Sequence, residues 1–289
     1  MAKKNEGAAK TVEHEEDDAG LTVVDLPADV LARNEVQMQL DAAHRYPRSV
    51  KRFLDEAKTL ATMTEDIAQS CIYALTRGGK VIAGPSVRLA EICASAYGNL
   101  HIGARVIEAA EREVVAQGVA WDLEKNLKAA LEARRRITKK NGTRYDDDMI
   151  GVAGAAAASI ALRNAIFRVI PKTYVDDVYA AARAVAVGDA STLAKKRDAV
   201  VERLQKIGVP RERIFPRVAV TALEDIGLDE LEVLIGLGSS IKNGERTIDD
   251  AFPPIDATPE KSKKLEDDLK ASAPAPAPAA DASKPGKDG

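Results

Sequence analysis

Apolar and polar residues change their spacing several times along this chain, and each change predicts a different kind of element. From Pro27 to Leu60 the apolar positions recur with helical spacing, interrupted at Tyr46-Pro47. Two short apolar runs, CIYAL and VIAG, then flank a Gly-Gly turn and predict a β-hairpin. The stretch PSVRLAEICASAY, with Pro85 at its first position, predicts a helix that ends at Gly98-Asn99.

Between residues 100 and 137 the period falls to two, the spacing of strands that bury one face. Three such runs follow one another and predict an antiparallel meander. The third run also suits a helix, because LKAALEARRR is rich in strong helix formers, so strand and helix both stay open for 125–135. The residues that share a face in the three runs are Leu100, Ile102, Ala104 and Val106; Val115, Val119, Trp121 and Leu123; and Leu127, Leu131 and Ile137.

A long helix is predicted after the meander. Small and apolar residues in MIGVAGAAAASIALRNAIFRVIP are spaced to form one inner face, and so many small side chains would let this helix lie close across a sheet. Asp146, Asp147 and Asp148 precede it and favour a helix N-terminus. A divalent-ion site is the alternative for these three acids. Another helix is predicted from about 175 to 187.

Composition divides the chain into four parts. Residues 1–26 are predicted to be a disordered acidic tail, and 253–289, which include SAPAPAPAAD, a disordered Pro/Ala/Lys tail. Between them we predict an α+β core at 27–189 and a small all-α unit at 190–252. The predicted fold class is therefore α+β: a β-hairpin, a helix, a three-stranded antiparallel meander and a long packing helix, followed by the small helical unit.

Charge is distributed unevenly along the chain, although the formal net charge is only −3. Residues 1–40 carry nine acids against four bases, whereas residues 71–189 carry seventeen Lys and Arg against thirteen Asp and Glu. A basic middle between acidic tails suits a polyanionic partner, and it also suits an ordinary solvated surface.

Several kinds of site and location are disfavoured by the sequence. Cys71 and Cys93 stand in apolar surroundings and predict buried, reduced thiols in a cytoplasmic protein. The histidines lack metal-ligand spacing and the phosphate-loop pattern is absent, so no cofactor, no metal and no enzymatic activity are predicted. Arg163 interrupts the longest Ala-rich run, so no membrane span is predicted, and the N-terminus lacks the apolar core of a signal peptide.

The predicted order of elements resembles the annealing core shared by phage single-strand annealing proteins (the RecT, Redβ and ERF superfamily) and the eukaryotic annealing mediator of recombinational repair. GGKVIAGPSVRLAEICASAYGNLHI resembles that core's strand, glycine turn and helix. VAQGVAWDL and RRRITKKNGTRYDD resemble its second and third strands, and SIALRNAIFRVIP resembles the end of its long helix. The resemblance covers about residues 70–175. The chain departs from the family in its few aromatic residues and in an inserted-looking segment near DLEKNLKAALEA.

The resemblance implies an ATP-independent protein of homologous recombination and DNA repair, of phage or prophage type. Such a protein binds single-stranded DNA, assembles as a homo-oligomer (a ring or helical filament) and anneals complementary strands. It also implies that 190–252, with its acidic stretch ALEDIGLDELE, docks a partner exonuclease or the host single-strand-binding protein. Deleting 190–289 should then spare annealing in vitro. The alternative is a non-catalytic oligomeric assembly protein that does not bind nucleic acid.

Annealing needs cations that hold the phosphates while the base edges stay open. We predict a cationic groove where the sheet meets the Ala-rich helix. Alternation along a strand puts Arg134 and Arg136 on one face and Arg135 on the other. The alternatives are a solvated strand end for this run, an internal ion pair for Arg163, and core packing rather than base stacking for Trp121. The candidate DNA-binding residues are Arg77, Lys80, Arg134, Arg135, Arg136, Lys139, Lys140, Arg144, Arg163 and Arg168.

Overall fold

The structure, a computed structural model, describes residues 28–77, 80–139 and 141–254. In these residues it has the predicted α+β fold, with ten helices and two antiparallel sheets. The chain forms two compact units. The first contains the chain up to Ile67 together with Pro85–Ala182, and the second contains Ala68–Gly84 together with the chain from Arg183 onward.

These units differ from the predicted domains at the hairpin. Its strands, β1 (Ile72–Arg77) and β2 (Lys80–Pro85), were expected within the core at 27–189, but the hairpin groups with the C-terminal helices. The predicted tails lie outside the described residues, except for positions 253 and 254, and Lys140 lies outside them too.

One helix before the hairpin and one after it begin at a serine cap. In the first unit α1 (Ala28–Arg45) is followed by α2 (Val50–Thr62), where the Ser49 hydroxyl accepts a hydrogen bond from the Arg52 amide. The short helix α3 (Glu65–Ser70) leads into β1. Helix α4 (Val87–Tyr97) is capped by Ser86, whose hydroxyl accepts from the Leu89 amide. The sequence had suggested that Pro85 opens this helix. In the structure Pro85 instead ends β2.

The meander is present as predicted. Strands β3 (Leu100–Ala109), β4 (Glu113–Asp122) and β5 (Leu127–Arg136) form an antiparallel sheet in that order. The strand alternative is thus confirmed for most of 125–135, against the helix propensity of that stretch. Tertiary packing decides the outcome, because alternation along β5 buries Ala129 and Ala133 on one side.

Helix α5 (Asp147–Val169) lies directly on this sheet. Ala157, Ala161 and Ala165 are fully buried. A Cβ atom added to Gly118 of β4 would lie 2.2 Å from the Ala161 carbonyl carbon, so glycine is needed for this close approach. The length and composition of α5 would by themselves also suit a membrane span. Its alanine face nevertheless packs on the sheet as a core helix does.

The face of β4 that meets α5 is the opposite of the predicted one, although Val115 on the predicted face is also buried. Val114 and Ala116 cluster with Ala157 of α5, and Gly118 lies against Ala161, so the even-numbered positions face the helix. Val119 and Trp121, expected to be inside, are half-buried on the other side of the sheet. The pattern favoured the larger apolar residues, whereas close packing of a helix on the strand requires the smaller ones.

A buried arginine joins three segments of the first unit. Arg48, between α1 and α2, donates from Nη1 and Nη2 to the two carboxylate oxygens of Asp122, at 2.7 and 2.9 Å. Its Nε donates to the Tyr97 carbonyl at 3.0 Å, and its guanidinium lies 3.5 Å from the centroid of the Tyr97 ring. The two side chains are 4% and 0% exposed, so this pair is buried and fully hydrogen-bonded.

The second unit builds a helical layer on the hairpin. Helix α6 (Lys172–Val187) crosses the boundary between the units after Ala182. The helices that follow it in the second unit are α7 (Leu193–Lys206), α8 (Arg211–Arg217), a 3₁₀ turn at Leu223–Asp225, α9 (Leu228–Lys242) and α10 (Ile248–Ala251). A Cβ atom on Gly236 of α9 would lie 2.8 Å from Ala74 of β1. Ser239 Oγ of the same helix donates to the Gln69 carbonyl at 3.0 Å. Helix α9 therefore covers β1, which explains why the hairpin belongs to this unit.

Candidate nucleic-acid interface

Two predicted arginines lie near Glu113 at the end of β5. Arg134 and Arg136 alternate onto the outer face of the sheet, the face opposite α5, and the register places Arg136 beside Glu113 of β4. Arg134 Nη1 lies 2.7 Å from Glu113 Oε1, and the two side chains are 63% and 39% exposed. Two more exposed acids lie on the same face: Glu108, in the same row as Arg134, and Glu132, two residues before it.

The turn after β5 adds two more of the predicted cations. The Lys139 amide donates to the Thr143 carbonyl at 2.7 Å, and Thr138 pairs with Arg144, so the turn is tight. Lys139 is exposed on it. Arg144 Nη1 donates to the carbonyl oxygens of Ala110 at 2.7 Å and Glu111 at 3.2 Å. Arg144 therefore also has a structural use, because it ties this turn to the β3–β4 connection.

Sequence reasoning missed a further cation at this end. Arg112 is exposed in the β3–β4 connection, and its carbonyl accepts a hydrogen bond from the Ile137 amide at 2.9 Å. Only the strand register brings it beside residues more than twenty positions away. We call the whole group the basic sheet end: Arg112, Arg134, Arg136, Lys139 and Arg144.

Three aspartates near this end, at positions 146–148, have a different role. Asp146 caps α5, its carboxylate accepting from the Met149 amide at 2.8 Å, and Asp147 and Asp148 occupy the first turn. Carboxylates at these positions interact favourably with the helix dipole. The capping interpretation is confirmed for Asp146. In the described part of the chain no group of three His, Cys, Asp or Glu residues could hold a metal ion.

Three predicted arginines are not part of the basic sheet end. Arg135 is half-buried on the α5 side of β5. Arg163 follows the sheet-facing Ala161 by two residues, about 200° around the helix, so it faces away from the sheet. It donates to Asn164 Oδ1 at 3.4 and 3.3 Å. Arg168 is exposed in the last turn of α5.

The sheet and the long helix touch at one crossing in the region where a cationic groove was predicted. Gly118 and Ala161 bring the backbones of strand and helix into contact there, which leaves no space for a polynucleotide at that crossing. The basic residues gather instead at the end and on the outer face of the sheet. The predicted phosphate contacts of Arg135, Arg163 and Arg168 stay predictions.

The hairpin cations belong to the second unit. Arg77 ends β1 and Lys80 begins β2, and the side chains of both lie outside the described part of the chain, as does Lys140. Their predicted contacts with phosphates also stay predictions. The basic sheet end lies entirely in the first unit.

The outer face has a second feature at the far end of the same strands. The register aligns His101, Trp121 and Lys128 in one row. Lys128 Nζ lies 5.7 Å from the centroid of the Trp121 ring, and Trp121 Nε1 donates to Asn126 Oδ1 at 3.2 Å. Trp121 is thus not packed under α5, contrary to the core interpretation. Lys128 precedes Arg134 by six residues, about 20 Å along the strand.

The two thiols are buried, as predicted. Cys71 and Cys93 are both inaccessible, and burial raises the pKa of the Cys71 thiol to about 12. A thiol with such a pKa stays protonated at neutral pH and does not act as a nucleophile.

Comparison of the chain with protein-family models, with curated proteins and with solved structures finds no match in any of the three. Its function is therefore inferred from the side chains described above and from the resemblance found in the sequence.

Proposed function

We propose that this protein binds single-stranded DNA and anneals complementary strands without ATP, in homologous recombination of the phage type. The observation that supports this most directly is the basic sheet end. There Arg134 and Arg136 project from β5, both exposed, and Arg134 pairs with Glu113. The resemblance in the sequence supports the same function independently.

Annealing breaks no covalent bond, so the protein has to supply positioning and positive charge. Two complementary strands repel each other through their phosphates, and bound cations reduce that repulsion while releasing counterions. Arginine suits this task because its guanidinium is permanently charged and binds phosphate oxygens with two parallel donors. Arg134 and Arg136 leave the strand about 7 Å apart, which allows each to contact a different phosphate.

The outer face would leave most bases free to pair. Trp121 is the one aromatic residue in β3, β4 and β5, so stacking has little to offer along most of this surface. Contacts would then fall mainly on the sugar-phosphate backbone. Binding of that kind depends weakly on sequence, as annealing of any complementary pair requires.

Self-assembly is part of the proposal, and strand β3 supports it. Strand β3 is an edge of its sheet, and its Ile102 and Val106 are 38% and 47% exposed. An open strand edge with exposed apolar side chains favours pairing with another chain. The alternative function, an assembly protein without DNA binding, would use the same surface. If light scattering reported only monomers at micromolar concentration, it would contradict both the proposed self-assembly and the alternative assembly function.

Docking of a partner protein by 190–252 also remains a proposal, but not on its acidic stretch. Asp229 and Glu232 pair with Arg183 at 2.8 and 2.5 Å. Glu230 accepts from the Gly227 amide at 3.0 Å, and Asp225 accepts from the Ala222 amide at 3.0 Å. Most of these carboxylates are used inside the unit, so a partner would need another surface.

The proposed function is tested by annealing of a fluorophore-labelled strand with a quencher-labelled complement in stopped flow. We expect the triple variant Arg134→Ala/Arg136→Ala/Lys139→Ala to anneal about tenfold more slowly than the parent at low salt. The reason is that three phosphate contacts, and the counterion release that accompanies them, are lost.

A matched control removes the same charge elsewhere. Lys51→Ala/Lys195→Ala/Lys206→Ala changes three exposed lysines on α2 and α7, of which Lys206 pairs with Glu202 much as Arg134 pairs with Glu113. The control should anneal like the parent. Equal slowing in both variants, or a parent that does not accelerate annealing, would contradict the proposal.

A further inference from the structure

The second unit contains two arginines that its own acids do not balance. Arg217 ends α8, Arg246 lies between α9 and α10, and both are half-buried. Arg217 Nη2 donates to Oγ1 of Thr76 on β1 at 2.5 Å, while its Nε is buried without an acceptor. Within the described ranges neither arginine pairs with a carboxylate.

The two arginines also act on each other. Burial lowers the pKa of the Arg217 guanidinium, and the positive charge of Arg246 lowers it further. Like charges that approach each other in a partly buried place disfavour the charged forms. No carboxylate is among the charges that act on Arg217, so an anion from solution would stabilise the pair.

Three other arginines of the same unit have acceptors within it. Arg183 pairs with Asp229 and Glu232, and Arg213 pairs with Asp249 at 2.7 Å. Arg197 donates from Nε to the Ile226 carbonyl. The unit therefore satisfies its structural guanidiniums with internal acceptors, and the uncompensated pair at Arg217 and Arg246 stands apart from that pattern.

We propose that Arg217, Arg246 and Thr76 form a phosphate-binding site in the second unit. Guanidinium groups recognise phosphate oxygens through charge-assisted hydrogen bonds, and the exposed Thr76 hydroxyl, which accepts from Arg217, still has its own proton to donate. The ligand chemistry is an oxyanion of phosphorus. If the proposed function is correct, that oxyanion is a phosphodiester of single-stranded DNA; this identification of the ligand rests on the proposed function. The second unit then contacts DNA itself.

The first arm of the test uses inorganic phosphate as the probe. Melting temperatures of the parent and of Arg217→Gln/Arg246→Gln are compared in sodium phosphate and in sodium chloride at equal ionic strength. We expect the rise in phosphate to be at least twofold larger for the parent. The Lys51→Ala/Lys195→Ala/Lys206→Ala variant should keep the parent's rise, which separates site binding from the general stabilising effect of phosphate.

The variant's stability in chloride gives an independent readout. An arginine pair with a purely structural role would lower the melting temperature when replaced. Removal of an uncompensated like-charge pair should leave it unchanged or raise it. If the double variant does not fold, Arg246→Gln alone keeps the bond between Arg217 and Thr76 and should change the phosphate response in the same direction.

The second arm uses a fluorescein-labelled single strand and anisotropy. The double variant should bind about tenfold more weakly than the parent at low salt, and its log–log salt slope should be less negative by about 0.7, the value for one phosphate on a single strand. If the parent does not bind DNA but its melting temperature still rises in phosphate in a way that depends on the two arginines, the proposed function would be overturned. The site would then be one for free phosphate. A folded variant that matches the parent in both arms would overturn the site alone.

Discussion

Asp122 and Arg48 show how one buried pair controls the stability of the first unit. Burial alone would raise the pKa of Asp122, but the hydrogen bond and charge of Arg48, with the amides of Lys125 and Glu124, hold that pKa below its usual value. The stabilisation is therefore complete above the unfolded pKa of about 3.9 and is lost as the pH falls through the lower folded pKa.

We therefore expect Asp122→Asn to lower the free energy of unfolding by about 3 kcal/mol at pH 7, because the buried Arg48 loses its bidentate carboxylate and keeps only the longer contact with Glu124 at 3.6 Å. Urea denaturation between pH 7 and pH 3 measures it. The difference from the parent should shrink below about pH 4, because the unfolded parent takes up a proton at Asp122 there while the folded parent still holds it ionised. A difference that stays constant down to pH 3 would show that the pair does not act through its charge.

Gly118 tests the contact between sheet and long helix. Gly118→Ala should lower the free energy of unfolding by about 3 kcal/mol, at the upper end of overpacking, because the new Cβ would lie 2.2 Å from backbone atoms of Ala161. Gly151→Ala is the matched control, since Gly151 is an exposed position of α5 with no atom within 4 Å of an added Cβ. The control should stabilise the protein by about 0.5–1 kcal/mol through helix propensity. Equal effects of the two substitutions in thermal unfolding would contradict the close approach.

Single arginines also show what the sequence could predict. The opposite directions of Arg134 and Arg135 follow from strand alternation alone, and the structure agrees. The use of Arg144 does not follow, because its acceptors are backbone carbonyls more than thirty positions away. Arg112 was missed for the same reason. Local spacing fixes the face of a strand, whereas register decides which side chains meet.

At the scale of elements, the order and type of most segments could be predicted, and the packed faces only in part. Alternation in β5 placed Leu131 with Ile137, on the side where Ala133 is buried. In β4 the same reasoning chose Val115, which is buried, and Trp121, which is only half-buried, whereas the helix packs on Ala116 and Gly118 of the other face. Side-chain size predicts burial well on open sheets, but a helix in backbone contact reverses the preference.

The hairpin gives a prediction at this scale. Deleting 190–289 removes α9, which covers β1, where Ile72 and Ala74 are fully buried. We therefore expect trypsin to cleave this truncation rapidly at Arg77 or Lys80, although the sequence boundaries suggested that the remaining core would be intact. A second truncation that removes only 255–289 keeps α9 and should resist trypsin as well as the parent does. Equal resistance of both truncations would show that α9 does not support the hairpin.

At the scale of the whole molecule, the two units are interleaved along the chain, which sequence analysis could not detect. Composition marks a boundary near residue 189, and the structure has one nearby, after Ala182. It gives no sign that Ala68–Gly84 belongs with segments more than a hundred positions later. Long-range packing such as that of Gly236 against Ala74 is not visible in the local sequence pattern, apart from the presence of a glycine within a helix.

The salt dependence of binding to a labelled single strand tests the central claim most directly. If the basic sheet end binds about four phosphates per protomer, the slope of log K against log salt should be near −3, because each phosphate on a single strand contributes about −0.7. The Arg134→Ala/Arg136→Ala/Lys139→Ala variant should then show a slope near −1, and the lysine control should keep the parent's slope. A parent slope near zero, or the same slope in the parent and the folded triple variant, would contradict the account.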